Sequence, residues 1–203
     1  SAALGVYKRE EEEGAAPRAS LLDLAGGDLD GDGRSDLLIG APHIEENPFD
    51  RGHLYVLSGQ AVPGTLSPSD ATWSLEGTEV LESVGYSPAL GDFDGDGTIG
   101  LVLGCPESAG LGDPLGRSGR IYLIDASPDD WGGPNADPAT IAIATWFGDE
   151  SPHWVGESVS VGGDVNGDGY DDILVGANKS SAVTARGGQT YFLPGNEIAD
   201  LSN

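Results

Sequence analysis

Three times along its 203 residues the chain carries nearly the same seven-residue stretch. Gly-Asp-Leu-Asp-Gly-Asp-Gly begins at Gly27, Gly-Asp-Phe-Asp-Gly-Asp-Gly at Gly91 and Gly-Asp-Val-Asn-Gly-Asp-Gly at Gly163, so the copies lie 64 and 72 residues apart. Self-similarity at such a period marks a supersecondary unit used repeatedly. More than the stretch recurs. Each copy is followed by a short apolar run (Leu37-Leu38-Ile39, Leu101-Val102-Leu103, Ile173-Leu174-Val175), then a turn (Gly40-Ala41-Pro42, Gly104-Cys105-Pro106, Gly176-Ala177-Asn178). An alternating segment with a central tyrosine comes next: 52–57, 119–124 and 188–193.

These runs are short, rich in β-branched and aromatic residues, and bounded by Gly and Pro, which is the pattern of strands. The first runs are apolar throughout, so both their faces are expected to be buried. Further strand candidates precede each loop, at 20–24, 87–90 and 157–161, and a fourth follows the tyrosine strand at 71–75 and 140–147. No segment has the apolar period of an amphipathic helix. A four-stranded antiparallel unit cannot bury both faces alone, and radial repetition buries them. The expectation is an all-β chain, a β-propeller of three four-stranded blades in one domain spanning 1–203, with repeats near 15–76, 77–147 and 148–203. The stretches 58–70 and 125–139 read as surface excursions. The third repeat lacks an obvious fourth strand, with only Glu197–Leu201 as a candidate. The N-terminus has a spare one at Leu4–Arg9, so residues 1–14 are expected to supply a closing strand.

The repeated loop follows Asp-x-Asp/Asn-x-Asp-Gly-x-x-Asp. Side-chain oxygens at positions 1, 3 and 5, a backbone carbonyl at 7 and a carboxylate at 9 surround one point. Calcium takes six to eight oxygens in flexible geometry, magnesium demands a stricter octahedron, and zinc and copper want the His and Cys that these loops lack. Two carboxylates about 4 Å apart repel by about 1 kcal/mol in water and about 4 kcal/mol at an intermediate dielectric, so each loop calls for a cation. An EF-hand is excluded, because its position 12 requires a bidentate Glu where this chain has Ile39, Leu103 and Val175. The first site offers Asp28, Asp30, Asp32, Asp36 and the Arg34 carbonyl; the third offers Asp164, Asn166, Asp168, Asp172 and the Tyr170 carbonyl. The second offers Asp92, Asp94, Asp96 and the Thr98 carbonyl, but Gly100 stands at position 9, so two strong Ca2+ sites and one weaker are expected.

Ten Asp of the loops account for part of the 34 acidic residues behind a net charge of −25. Such a charge opposes nucleic acid and anionic membrane surfaces as partners. One cysteine, Cys105, allows no internal disulfide, and no stretch reaches the length of a membrane-spanning helix.

The calcium loop followed by an apolar strand, Gly-Ala-Pro and a Gly-x-x-Tyr strand resembles the FG-GAP repeat of integrin α-subunit propellers. The third repeat, from Val155-Gly156-Glu157-Ser158 to Tyr191-Phe192, matches best. Phe-Gly is replaced by Val155-Gly156 and Val84-Gly85, and by Arg18-Ala19 in the first repeat; Gly-Ala-Pro is intact only at Gly40–Pro42. The resemblance implies calcium in loops on one face of a propeller, ligands on the opposite face, and a secreted or cell-surface module for protein binding or adhesion. It also implies seven blades where this chain has three, so a fragment, an open form or completion by homo-oligomerisation is expected. The alternative function is a lectin-like propeller, or an accessory one of a secreted enzyme.

Outside the loops, Trp73 and Trp146 occupy near-equivalent positions and read as inter-blade packing. Trp131 and Trp154 read as exposed, and are the candidates for contact with a glycan or protein ligand. The run Glu10–Glu13 reads as a solvated turn. His43, His53 and His153 do not cluster in sequence, Cys105 reads as a small buried hydrophobe, and no nucleophile–base or phosphate-binding motif is present.

Overall fold

The computed structural model describes residues 19–20, 23–44, 51–59, 67–109, 117–125, 127–148, 153–180 and 187–202. The strands expected at Leu4–Arg9 and the run Glu10–Glu13 lie outside these residues. In chain order the elements are β1 (Ala19–Ser20), β2 (Leu24–Gly27), β3 (Asp36–Ala41), β4 (His43–Ile44), β5 (His53–Leu57), β6 (Trp73–Glu76), β7 (Ser87–Gly91), β8 (Gly100–Cys105), β9 (Arg120–Ile124), α1 (Pro138–Ile141), β10 (Ala144–Phe147), β11 (Val155–Val161), β12 (Ile173–Ala177), β13 (Gln189–Leu193) and α2 (Gly195–Ser202). They form antiparallel sheets ordered β2-β3-β5-β6, β7-β8-β9-β10 and β11-β12-β13, with β1 and β4 paired separately. These are the blades of an open, partial propeller; among the described residues the third sheet has no fourth strand.

Alternation along the strands of the middle blade divides its side chains between two cores. Leu101, Leu103 and Cys105 of β8 and Tyr122 and Ile124 of β9 pack against Leu38, Leu54, Val56 and Leu75 of the first blade. Val102, Ile121 and Leu123 pack with Ile173, Val175 and Ala177 of the third. Period-2 geometry sends successive residues to opposite faces, so the all-apolar runs do bury both faces where both neighbours exist. Every residue of β8 is buried. In the outer sheets, by contrast, Leu174 of the apolar run in β12 is 39% exposed and Leu24 of β2 is 56% exposed.

The sheets approach closely through glycines. A Cβ placed on Gly40 would run into the carbonyl of Gly85, and one on Gly104 into the carbonyl of Gly156. Gly85 and Gly156 take φ of 86° and 88°, a region open to glycine and costly for other residues. Beside them, Gly52 bridges Val84 and Gly119 bridges Val155 in parallel. The Val84 N–H donates to the Arg51 carbonyl at 3.0 Å, and the Val155 N–H donates to the Ser118 carbonyl at 3.0 Å. The glycine of each Gly-x-Pro turn is thus the seat for the Val-Gly of the following repeat.

The loop that makes the first of these contacts is fixed by a buried polar network. Glu82 is fully buried; its Oε2 accepts the N–H groups of Thr78 (2.8 Å) and Glu79 (2.9 Å). Its Oε1 accepts the Tyr122 hydroxyl and lies 3.6 Å from Arg120 Nη1. Arg120 also donates to Tyr122 Oη at 2.6 Å and Glu79 Oε2 at 2.8 Å, and lies over the Phe147 ring. Burial first, then the Glu82 charge, pushes the Tyr122 hydroxyl far above its ordinary range, keeping it a donor. On either side of Glu82, Leu81 and Ser83 sit at φ of 62° and 59°, strain that a well-satisfied network can hold.

Five expectations are corrected. The strand before the first loop is β2, not 20–24: its Gly26 and Gly27 have little strand propensity, yet pairing Gly27 with Asp36 is what brings the loop ends together. Over 140–147, the first residues form the turn α1 behind a Pro, and only Ala144–Phe147 is strand. Glu197–Leu201 lies in α2, whose start follows Pro194, carries Glu197 in the first turn and sinks Ile198 into the second core. The stretch 125–139 is no simple surface excursion. Ala136 donates to the Ser74 carbonyl and accepts from Glu76, each at 3.0 Å, so it extends the edge of the first blade. Trp131 is buried at 3% exposure in the first core, while Trp73 and Trp146 flank the two cores as expected.

Two substitutions probe this frame. Gly104→Ala should cost about 1–3 kcal/mol in urea unfolding, because backbone rather than a flexible side chain meets the new methyl. Glu82→Ala should cost about 3–5 kcal/mol, because it strands the Arg120 charge and the Tyr122 hydroxyl.

Candidate metal centre

Each Asp-rich loop lies at the same place in its blade, between the first and second strands. Its two glycines make the turn: Gly31 and Gly33, Gly95 and Gly97, and Gly167 and Gly169 all have φ between 75° and 95°. That conformation aims backbone N–H groups inward, where the acidic side chains catch them. Position 1 accepts from position 6: Gly33 to Asp28 at 2.9 Å, Gly97 to Asp92 at 3.0 Å, Gly169 to Asp164 at 2.8 Å. Position 3 accepts from position 5: Asp32 to Asp30 at 3.0 Å, Asp96 to Asp94 at 3.1 Å, Asp168 to Asn166 at 2.9 Å. Position 5 accepts from position 7: Arg34 to Asp32 at 2.9 Å, Thr98 to Asp96 at 2.6 Å, Tyr170 to Asp168 at 3.1 Å. Some position-1 carboxylates are held at both oxygens: Asp92 also accepts the Gly95 N–H at 2.8 Å, and Asp164 those of Gly167 at 2.6 Å and Asp168 at 2.9 Å.

Position 9 ties the loop to the blade. Asp36 is buried; its Oδ2 accepts from Leu29 at 2.9 Å and Asp30 at 3.3 Å, and its Oδ1 accepts the Gly59 N–H at 3.0 Å. Asp172 repeats this, accepting from Val165 (2.9 Å) and Asn166 (3.2 Å) at Oδ2 and from Gly195 (2.9 Å) at Oδ1, which also anchors the start of α2. Gly59 and Gly195 each follow the third strand of their blades.

Among the described residues, ligand atoms of three acids converge within 4.8 Å in two places: Asp28, Asp30 and Asp36, and Asp92, Asp94 and Asp96. In the third loop the amide of Asn166 takes the positive role, donating to Asp168 Oδ2 at 2.9 Å and Asp172 Oδ1 at 3.2 Å. The first cluster contains a buried oxygen, Asp28 Oδ1, with no hydrogen-bond partner. A desolvated carboxylate oxygen beside two more carboxylates is what a bound cation satisfies, so these residues fit calcium.

The charges register this crowding. Partial burial, then the Asp36, Asp32 and Asp28 charges, raise the Asp30 carboxyl above its ordinary range, against the pull of the Asp32 N–H. The Thr98 backbone N–H, then its hydroxyl, lower that of Asp96. A residue outside the motif shares the effect: Asp125, just after β9, is raised by partial burial and then by Asp94, Asp96 and Asp92.

The sequence motif missed Asp125 and also Asp171, which accepts the Asp92 N–H at Oδ2 and donates its own N–H to the Asp92 carbonyl, both at 3.0 Å. The second and third loops are therefore joined to each other; a Cβ on Gly95 would meet the Tyr170 ring at 3.2 Å. The only signal in the chain was position, since Asp125 follows the tyrosine strand directly. The ligand candidates fare differently. Trp131 is buried. Trp154 is half-buried, and its ring lies under Lys179 Nζ at 2.9 Å and Arg117 at 5.7 Å. No histidine joins the acid clusters among the described residues; His53 stacks on Tyr55. Cys105 is fully buried, and burial pushes its thiol well up.

Comparison with known proteins agrees with this architecture. A family model described as the FG-GAP repeat matches residues 155–193, and one described as an FG-GAP-like repeat matches residues 28–102. Integrin alpha-5 of Xenopus laevis is 33% identical over 156 residues, covering 74% of this chain and 14% of that protein. Integrin alpha-PS2 of Drosophila melanogaster is 32% identical over 200 residues, covering 89% of this chain and 13% of that protein. Integrin alpha-IIb of Homo sapiens is 30% identical over 166 residues, with 77% and 14% covered. The chain thus spans about a seventh of the length of these relatives. With loops, turns and blades recurring in register, the chain belongs to the FG-GAP repeat family and is an integrin-alpha-like domain.

Proposed function

We propose that this chain is a calcium-stabilised, non-enzymatic binding module, secreted or at the cell surface, that engages protein ligands or mediates adhesion. The metal part rests on Asp28 Oδ1, a buried oxygen with no hydrogen-bond partner among converging carboxylates. Asp28, Asp30, Asp32 and Asp36 with the Arg34 carbonyl would hold one ion; Asp92, Asp94 and Asp96 with the Thr98 carbonyl a second; Asp164, Asn166, Asp168 and Asp172 with the Tyr170 carbonyl a third, once Asn166 offers oxygen instead of N–H. Calcium would supply the positive charge that offsets the repulsion within each loop. Its role is structural, because position 9 joins the loop to the segment after the third strand.

The binding part rests on the likeness to integrin alpha chains. Ligand contact falls to the loops at the blade ends away from the Asp-rich turns. No helix among the described residues is long and apolar enough to cross a membrane. The glycan alternative gains no support from Trp131, which is buried.

Thermal unfolding in calcium and in chelator tests the metal role. At about 10 mM calcium, with dissociation constants of about 10⁻⁴–10⁻³ M, each occupied site should add about 1.4–2.7 kcal/mol and raise Tm by several degrees. Equal Tm in calcium and chelator would sink the proposal. The carboxyls of Asp30 and Asp125 are raised in the fold, so their contribution to metal-free stability is present below the ordinary carboxylate range and is lost as pH rises through the raised values. Protons and calcium compete for these groups. The calcium-dependent gain in Tm should therefore shrink as pH falls through the raised carboxylate range, and shrink less in Asp30→Asn.

A further inference from the structure

The second loop lacks the carboxylate that closes the other two, and the fold places another acid opposite the gap. In the ladder between β8 and β9, Leu101 pairs with Ile124. The next pair outward is Gly100, at position 9, and Asp125. The same register in the other blades sets Asp36 opposite Ser58 and Asp172 opposite Pro194, neither of them acidic. The acid has moved across one rung of the ladder. Space agrees with register: a Cβ on Gly100 would lie 3.1 Å from Asp125 Oδ1, 3.0 Å from the Phe93 ring and 3.3 Å from the Ile124 carbonyl. The room a position-9 side chain would enter therefore already holds a carboxylate oxygen. Asp125 is half-buried, with Asp92, Asp94 and Asp96 as its charged neighbours.

We propose that Asp125 is the fourth acidic ligand of the second loop, so that this site takes calcium with a carboxylate set drawn from both strands of the β8–β9 pair. The inference rests on the calcium reading above. It replaces the weak, water-completed second site suggested by Gly100 with one matching the first loop in number of carboxylates. Because ligand charge count sets calcium affinity, the two loops should bind comparably. The arrangement also has a mechanical side. A position-9 carboxylate hydrogen-bonds to the segment after the third strand, whereas Asp125 belongs to that segment. Calcium would then make in the middle blade the tie that Asp36 makes directly to Gly59 in the first.

Calorimetric calcium titration of the full chain tests this with Asp92→Asn, Asp125→Asn and their double variant. Asp92→Asn defines the second site by removing it. Asp125→Asn should weaken that same site by about tenfold or more, leave the first unchanged, and add nothing when combined with Asp92→Asn. Tm in chelator separates ligation from packing: Asp125→Asn should leave it unchanged or raise it, since repulsion is relieved, and should lose only the calcium-dependent gain. The swap Gly100→Asp with Asp125→Gly should recover binding. If Asp92→Asn abolishes a site that Asp125→Asn leaves at wild-type affinity, Asp125 is not a ligand although the calcium reading stands. An equal fall of Tm in chelator and in calcium would also overturn the proposal, as a packing role. Absence of binding in the unaltered chain would overturn both readings.

Discussion

Everything in this fold depends on how closely one sheet can approach the next. Gly40 against Gly85 and Gly104 against Gly156 bring backbone onto backbone, and no side chain fits between them. That contact sets the spacing at which Leu38, Leu54 and Val56 interdigitate with Leu101, Leu103 and Tyr122. It is cooperative with the network around Glu82, because the loop carrying Val84-Gly85 can present its carbonyl to Gly40 only while Leu81 and Ser83 are held in the left-handed region. Burial of Glu82 is tolerable because its oxygens meet two backbone donors, a phenol and a guanidinium.

The two ends of the middle blade serve different physical purposes. One end carries the Asp92–Gly100 turn, where negative charge is concentrated and met by backbone N–H groups and the Thr98 hydroxyl rather than by a positive charge. The other carries Arg120 and Phe147, where charges are neutralised within the protein. The link between Asp92 and Asp171 extends the acidic end across two blades and ties the second loop to the third.

Much of this was legible in the sequence because the repeat is threefold. Leu37-Leu38-Ile39, Leu101-Val102-Leu103 and Ile173-Leu174-Val175 identify the same strand three times, so one ambiguous copy is corrected by its neighbours. Features that occur once were read less well. The stretch 125–139 belongs to the second repeat alone, and its Ser, Pro and Asp content concealed the buried Trp131 and the pairing of Ala136 with the first blade. The helix α2 was missed because eight residues are too few for a periodic signal; its stability comes from Ile198 in the core and from Asp172 holding its first N–H. The Asp-rich loops were legible as turns between the first and second strands, but the position of Asp125 beside the second was not, since cross-strand register is a property of pairing and not of motif spacing.

The exposed flanks of the outer blades have a consequence for assembly. Each blade presents one kind of face to the blade before it and another to the blade after it, so the two ends of the stack are not alike. Leu24 belongs to one end, and Leu174 with Phe192 to the other. A surface that continues the stack at the third blade must carry glycine and Val-Gly features like those at the start of the second repeat, and the reverse holds at the first blade. Such growth has polarity: it runs head to tail, and whether it closes into a ring or runs on as a spiral is fixed by the rotation between successive sheets.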